Sequence, residues 1–477
     1  MLERGDRSCE TVAPHAARAL ALAVIAIALS MGGGCVLRPR QTADEKAKLD
    51  AASQAFEAPP AARQLPNLSP EARWRDVLSR AFLANGELEA SYFEWKAALA
   101  RIDEAAVWPN SNVALNFSYM FSSENVKAWN RTTLGVGFDP SMNLSLPTKA
   151  RAAGREALDA AQEAGERFRA VKFDLQRKVL SAYLDLALTE ELIRIQHDNR
   201  TLLKLLTDSA ADRAEAGGPM QDLFKATIES QRADDELASL EAKAHSMRSM
   251  LNGMLARAAD APLILAASLP APRAVVVDDA RLIAAGVAQN PELAALARQV
   301  AGRADAIEVA RLAYVPDFSP SASITGDVSQ TLGIMLMLPT KAPAIRAAID
   351  EAQAMQHSSE AMLRQTRYDR AGTFVATLYS MRNAERQTQL YQRSILPAAQ
   401  QLVGSSRSAY AAGTIGFADL VDSERMLLMV RRMVAESRIE REERLAELEA
   451  LAGVDIETLG APPAGAQAES APPRGQP

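Results

Sequence analysis

Asp419 and Asp422 stand three residues apart, directly after the glycine-bearing stretch Ala412-Gly413-Thr414-Ile415-Gly416. Acids at that spacing share one helix face, so the two carboxylates sit side by side and attract cations. A comparable stretch, Ala216-Gly217-Gly218-Pro219, comes before Asp222. In each case a glycine can end one helix in a left-handed conformation, and an acid near the next helix start is favoured by the helix dipole. Helix capping is therefore the plain structural reading of all three acids. Tyr410 adds a phenol three residues before Gly413.

Other chemistry has little to work with. His197, His245 and His357 are isolated in helical stretches, and with at most one cysteine in the mature chain no zinc or copper spacing exists. Met426, Met429 and Met433 have the spacing of one helix face, which predicts core packing rather than a soft-metal ladder. There is no phosphate loop, nucleophile elbow or metalloprotease motif. The expectation is a protein that is no enzyme and carries no cofactor or metal. Lysines and arginines (53) are interspersed with acids (59) for a net charge of −6, so no basic surface selects nucleic acid.

The N-terminus carries Arg4, Arg7 and Arg18, then the apolar run Ala19 to Met31, then Gly32-Gly33-Gly34-Cys35. That order makes an export signal, too short for a membrane span. Cys35 after small residues resembles a lipobox, although Gly32 stands where such motifs usually have leucine; the alternative is an ordinary cleavage site with an incidental cysteine. No later stretch approaches the roughly 20 apolar residues of a spanning helix. Further insertion must use strands closed into a barrel.

The elements that would position these residues come in two copies. Asn85-Gly86-Glu87-Leu88 recurs as Asn290-Pro291-Glu292-Leu293, Trp108-Pro109 as Val315-Pro316, and Leu146-Pro147-Thr148-Lys149-Ala150 as Leu338-Pro339-Thr340-Lys341-Ala342. Each copy reads as helix, strand pair, long helix, turn, helix. Val113, Leu115, Phe117, Tyr119 and Phe121 alternate with smaller or polar residues, and after a polar loop Leu134, Val136, Phe138, Met142, Leu144 and Leu146 do the same. This period of two fits a barrel with lipid outside and water inside; a half-buried hairpin of a soluble domain is the alternative. A shorter hairpin turns near Gly326-Asp327. Pro140 and Pro320 fall within the strand patterns and predict bulges or strand ends near a barrel rim. Four strands are too few to close a barrel, so several chains are required.

The expected organisation is a signal peptide over residues 1–34, a lipid-anchored extended segment over 35–68, a first repeat over 69–256 with its hairpin at 111–146, a linker over 257–276, a second repeat over 277–455 with its hairpin at 318–338, and a disordered tail over 456–477. Proline is absent from Lys149 to Ala216 and from Ala344 to Leu396. The first of these rods would extend about 100 Å. Phe168, Val171, Leu175, Val179, Ala182 and Leu186 follow coiled-coil spacing, so the rods pack side by side.

From about residue 70 to 455 the doubled unit, the Asn-Pro-Glu-Leu element, the proline leading into a strand, the Leu-Pro exit and the paired turns together resemble the TolC family of outer-membrane factors. The resemblance implies a mainly α protein with a β-barrel: a homotrimer with a 12-stranded transmembrane barrel, four strands per chain, continuing into a long periplasmic coiled-coil helical barrel. It implies a passive exit duct in the outer membrane, working with a periplasmic adaptor and an inner-membrane pump, proton-driven or ATP-driven. Alternatives are a type I protein-secretion duct and a periplasmic helical scaffold without a pore. Tyr410, Gly413, Asp419 and Asp422 match the family's second-turn pattern, and Asp222, close after Gly217, matches the acid of the first turn. The resemblance puts both turns at the periplasmic tip, where adaptors dock and three chains would ring a constriction with Asp419 and Asp422. Ile415 stands at the family's gate-arginine position, leaving Tyr410 and Asp222 as the pair that could still bond.

Overall fold

The computed structural model describes residues 35–59, 62–68, 72–110, 112–121, 126–138, 144–265 and 268–459. The expected signal peptide, Pro140 and all but the first four residues of the expected tail lie outside them. The chain divides into two compact units.

The first unit holds the described residues up to Ala51 together with Phe93–Gly165 and Ala295–Leu363. Strand β1 (Cys35–Val36) pairs with β2 (Val107–Trp108), which follows helix α3 (Gly86–Ala105). The segment expected to be extended contains a helix, α1 (Thr42–Ser53). Its seat is polar: Glu45 is buried and accepts a hydrogen bond from Trp95 Nε1 at 3.1 Å.

Strands β3 (Val113–Tyr119), β4 (Thr132–Phe138), β5 (Asp317–Thr325) and β6 (Ser329–Met337) form an antiparallel sheet in that order. Its register sorts most side chains by face, Met335 and Met337, opposite Ser319 and Asp317, being the apolar exceptions on the polar face. Leu115, Val136, Ala322 and Leu332 make one row across the four strands, and the next row on the opposite face is Asn116, Gly135, Ser323 and Thr331. Beyond it on that face come Ala114, Gly137, Ser321 and Gly333. Gly137 is required by close approach, because a Cβ there would come within 2.9 Å of the Ser321 Cβ. The apolar face is uncovered, with Leu115 78% and Leu332 87% exposed. Among the described residues, no helix is long and apolar enough to cross a membrane.

Pro320 makes no bulge. The β5–β6 register runs unbroken through Pro320 opposite Ile334. The β4 ladder stops at Gly137 opposite Ser321, and Phe318 then exchanges both backbone bonds with Leu144. Residues two apart in a strand turn their backbone groups to the same side, so the donor that Pro320 lacks would have pointed to the β4 side, where the ladder is interrupted.

The second unit holds residues 52–92, 166–294 and 364 onward. The helix that the repeat plan places before the strand pair is two helices in the first copy, α2 (Trp74–Ala84) and α3. Asn85 sits at the break, its Oδ1 accepting from the backbone of Glu87 and Leu88 at 3.0 and 3.1 Å. In the second copy Asn290 does the same between α6 (Asp279–Ala288) and α7 (Pro291–Leu312), accepting from Leu293 N at 2.8 Å. The repeated Asn-x-Glu-Leu element is thus an N-cap.

Helix α4 (Pro147–Glu215) runs 69 residues without interruption and returns through α5 (Met220–Met254). Its counterpart is α8 (Ala342–Leu390), a widened π turn (Tyr391–Ile395) and α9 (Leu396–Ala411), returning through α10 (Phe417–Ala452). Leu282, Phe374, Leu378, Met381, Leu445, Leu448 and Ile456 form one core. Ile456 belongs to a short helix, α11 (Ile456–Leu459), so the fold takes in the first residues of the expected tail.

Glu443 on α10 and Asp185 on α4 form a half-buried carboxyl pair. Burial, then the charge of Asp185, pushes Glu443 up to about 7, with Arg444 opposing. Burial raises Asp185 as well, against Lys243. The folded chain keeps a proton that the unfolded chain releases, so this contribution to stability is full below about pH 4.5 and is lost as pH rises towards 7. Glu443→Gln is expected to raise the thermal midpoint by about 2 °C at pH 7.5 and to leave it unchanged at pH 4. Melts of the detergent-solubilised protein at both pH values decide this; equal midpoints at pH 7.5 would count against the shared proton.

Candidate functional site

Both turns close in the same way. Gly413 has φ +70°, its N–H bonds the Tyr410 carbonyl at 3.0 Å, and Thr414 N–H reaches back to Ala409 O at 2.9 Å. Gly217 has φ +91°, with Gly217 N–H on Ala214 O at 3.1 Å and Gly218 N–H on Arg213 O at 2.8 Å. These are Schellman caps, and the left-handed residue in each is glycine because a Cβ there is disfavoured. A Cβ on either glycine would meet no atom within 4 Å, so the cost of Gly413→Ala is backbone strain alone, about 1–2 kcal/mol. Denaturant titration is expected to show that loss for Gly413→Ala and a smaller one for Gly413→Asn. Equal losses would mean that side-chain contact, not φ, governs the position.

Tyr410 is not a free gate residue. It is buried with Ala210, Ala226, Phe417, Leu420 and Val421, and Ile415 packs against the same cluster. Its ring meets Phe417 edge-on at 6.0 Å, and the Arg213 guanidinium lies 4.1 Å from its centre. No Tyr410–Asp222 hydrogen bond occurs among the described residues; the ring is held in an apolar cluster under a cation instead. Asp222 lies half-buried in the first turn of α5.

Asp419 and Asp422 are both exposed on α10. Asp419 Oδ2 accepts from Gly416 N–H at 3.2 Å, the capping bond anticipated for an acid at this place. Asp422 Oδ1 lies 3.4 Å from Arg425 Nη1, whose other nitrogen holds Glu229 of α5 at 2.5 Å. Arg425 therefore tempers the negative charge that Asp422 presents. A groove of about 240 Å³ opens beside this network, with Ile228, Phe417 and Val421 facing Lys225, Asp422 and Arg425. Met426 and Met429, expected in the core, are instead 45% and 48% exposed, at a spacing that continues the Asp419–Asp422 face. Only Met433 packs, against the cluster of Ala399, Val403, Leu427 and Val430.

Cys35 is exposed with its thiol free, and its backbone is fixed opposite Trp108 in the β1–β2 pair. Arg38 braces the same segment through Asp103, at 2.5 and 2.8 Å.

No family model matches the chain. Over 244 residues it is 25% identical to the fusaric acid resistance protein FusA of Burkholderia cepacia, which is 48% of this chain and 45% of that protein; the match spans less than half of that relative's length. Solved structures correspond more widely. The outer membrane protein VceC of Vibrio cholerae matches with a TM-score of 0.67 at 16% identity, over 81% of this chain and 97% of that one. The CmeC outer membrane channel of Campylobacter jejuni gives 0.66 at 14%, over 80% and 86%. The open state of the MtrE outer membrane channel of Neisseria gonorrhoeae gives 0.65 at 16%, over 80% and 89%. Identities this low carry the fold and nothing finer, and on that ground the chain has the fold of the TolC-type outer-membrane channels.

Proposed function

We propose that the chain is the outer-membrane channel subunit of a tripartite efflux system, a homotrimeric passive exit duct that serves a periplasmic adaptor and an inner-membrane pump. The observation that carries this reading is the sheet, whose four strands place apolar side chains on one uncovered face and, Met335 and Met337 apart, small or polar ones on the other. A soluble domain would cover such a face, whereas lipid covers it in a barrel. Both edge strands, β3 and β6, keep one side unpaired, and their opposite directions let β6 of one copy continue into β3 of the next. Strands β5 and β6 have the nine residues that suffice to cross a bilayer when tilted, while β3 and β4 have seven. Likeness to a fusaric acid resistance protein favours small-molecule efflux over protein export. Acylation of Cys35 would add an anchor beside the strand that precedes the sheet.

Purified mature protein is expected to need detergent, to run as a trimer and to form channels in planar bilayers. A water-soluble monomer without conductance would end this reading. Within it, Asp419 and Asp422 line the constriction and give it a cation preference that Arg425 moderates. Asp419→Asn with Asp422→Asn should abolish that preference and weaken block by multivalent cations, both measured as reversal potential and current in the bilayer. Unchanged selectivity would return the two acids to helix capping alone.

A further inference from the structure

Leu115, Val136, Ala322 and Leu332 lie in one row that crosses the sheet at right angles to its strands. If the next copy simply continued that row, Leu332 would face Leu115 of that copy, and the ring would close without stagger. A closed barrel does not permit this, because its strands tilt by about 35–45° and the tilt demands a fixed shear. Threefold symmetry shares the shear equally among the chains, and each share is even, since an odd slip would turn every apolar side chain inward. The slip per chain is therefore none, two, four or six residues. Eight strands with a shear of eight tilt by about 36°, and tilt follows the shear per strand. A slip of four gives twelve strands that same ratio and about 36°, whereas two gives about 20° and six about 47°. Only four falls within the range of barrels.

Chirality sets the direction of the slip. Phe318, on the apolar face with Ala322, exchanges both backbone bonds with Leu144. In a rising strand of L-residues, a residue whose side chain points at the viewer turns its N–H and C=O to the right. Seen from the apolar side with β5 rising from α7, β4 thus lies on the right, and the sheet grows leftward from β3 to β6. Barrel strands lean rightward as they rise, following their twist, so a row traced leftward climbs. It meets the rising β3 of the next copy above Leu115, at Tyr119.

We propose that β6 pairs with β3 of the next copy four residues out of step with the row, so that Leu332 faces Tyr119, Leu336 faces Leu115 and Met335 faces Asn116 of that copy. The strand ends agree. Met120 and Phe121 continue β3 beyond its last pair with β4, Tyr119–Thr132, and Leu338 continues β6 beyond Asp317–Met337. All three are exposed in the single chain, Phe121 by 91%. The slip sets Gln330 to Leu338 against Val113 to Phe121, whereas the unslipped row would put Met120 and Phe121 opposite the turn at Gly326 and Asp327.

This register rests on the channel reading, and its test separates the two. Met120, on the same face as Asn116, donates its N–H to Arg131 O on the β4 side, so residues of that face turn their backbone groups away from the next copy. Asn116 and Met335 then form a non-hydrogen-bonded pair with Cα atoms about 4.5 Å apart, within the span of a disulfide. In the full-length chain, Asn116→Cys with Met335→Cys is expected to oxidise until most of the monomer band is lost to a covalent trimer in denaturing gels. Asn116→Cys with Thr331→Cys tests the unslipped row, and Asn116→Cys with Met337→Cys tests the slip of six. Both should stay monomeric, because a miss of two residues already adds about 6.6 Å along the strand. Within one chain Asn116 and Thr331 are three strands apart, about 14 Å, so no internal bond competes. Each single variant controls for Cys35. If the wild type is a soluble monomer that does not conduct, the channel reading fails and the register with it. If it conducts as a trimer, crosslinking of either other pair in preference to Asn116 and Met335 overturns the slip of four. No crosslink from any pair overturns the contact between β3 and β6. The oxidised trimer should conduct like the reduced one; a ring that loses conductance on oxidation was trapped out of register and also overturns it.

Discussion

Replacing Arg273 by alanine is expected to destabilise the folded chain by about 3–5 kcal/mol, the range for breaking a buried ion pair from one side. Arg273 lies in the linker between the repeats and reaches two acids of α10: its Nε donates to Glu442 at 3.0 Å and its Nη1 to Glu449 at 2.7 Å. Its own backbone N–H donates to Glu442 at 3.2 Å. The three side chains are 9%, 6% and 1% exposed. Burial alone would lower the Arg273 pKa, but Glu449 and then Glu442 outweigh it and hold the guanidinium charged. With Arg273 gone, Glu449 keeps Gln176 and the Ile456 N–H, and Glu442 keeps Arg441, so the loss should fall near the lower end of the range. Replacing Arg273→Met together with Glu449→Gln, which leaves Glu442 paired with the buried Arg441, should recover most of it, because no buried charge is then left unpaired. Chemical denaturation in detergent measures both, and protease cutting within 257–276 reports release of the linker. A loss below about 1 kcal/mol for Arg273→Ala would mean that water reaches the cluster.

What could be read in advance depended on whether a residue's role is local. The strand pair expected at 318–338 appears as β5 and β6 within a residue of each end, because alternation with period two is visible wherever one face is apolar. The two turns were legible because a left-handed residue demands glycine. The breaks at Asn85 and Asn290 were marked by the repeat itself, but the motif's work as a cap shows only in its Oδ1 bonds. Helix α1 reads as extended chain in the sequence because it has no apolar stripe, and the burial of Thr42 and Glu45 runs against any pattern. Arg213 and Arg425 gave no signal at all. Arginines are common on helices, and the partner of Arg425 is 196 residues away in sequence. Met426 and Met429 carry the period of a packed face yet stay exposed in the single chain, since periodicity tells that a face is apolar and not what covers it.

That last distinction sets up the sharpest test of the sheet. Leu332 and Thr331 are neighbours in β6 whose side chains leave by opposite faces, Leu332 in the row with Ala322 and Thr331 in the row with Ser323. An arginine at a lipid-facing position near the bilayer midplane costs about 2–4 kcal/mol in each chain, and a trimer carries it three times. Leu332→Arg is therefore expected to abolish recovery from the outer-membrane fraction, while Thr331→Arg, facing water, inserts normally and alters only conductance. A soluble hairpin would tolerate both, since Thr331 and Leu332 are each exposed. Leu332 is already 87% exposed, so an arginine there would be harmless in water and would improve solubility. The two substitutions add the same side chain one residue apart, so propensity, charge and size cancel between them and only the face remains. If both variants insert equally well, the uncovered apolar face is not the one that lipid meets.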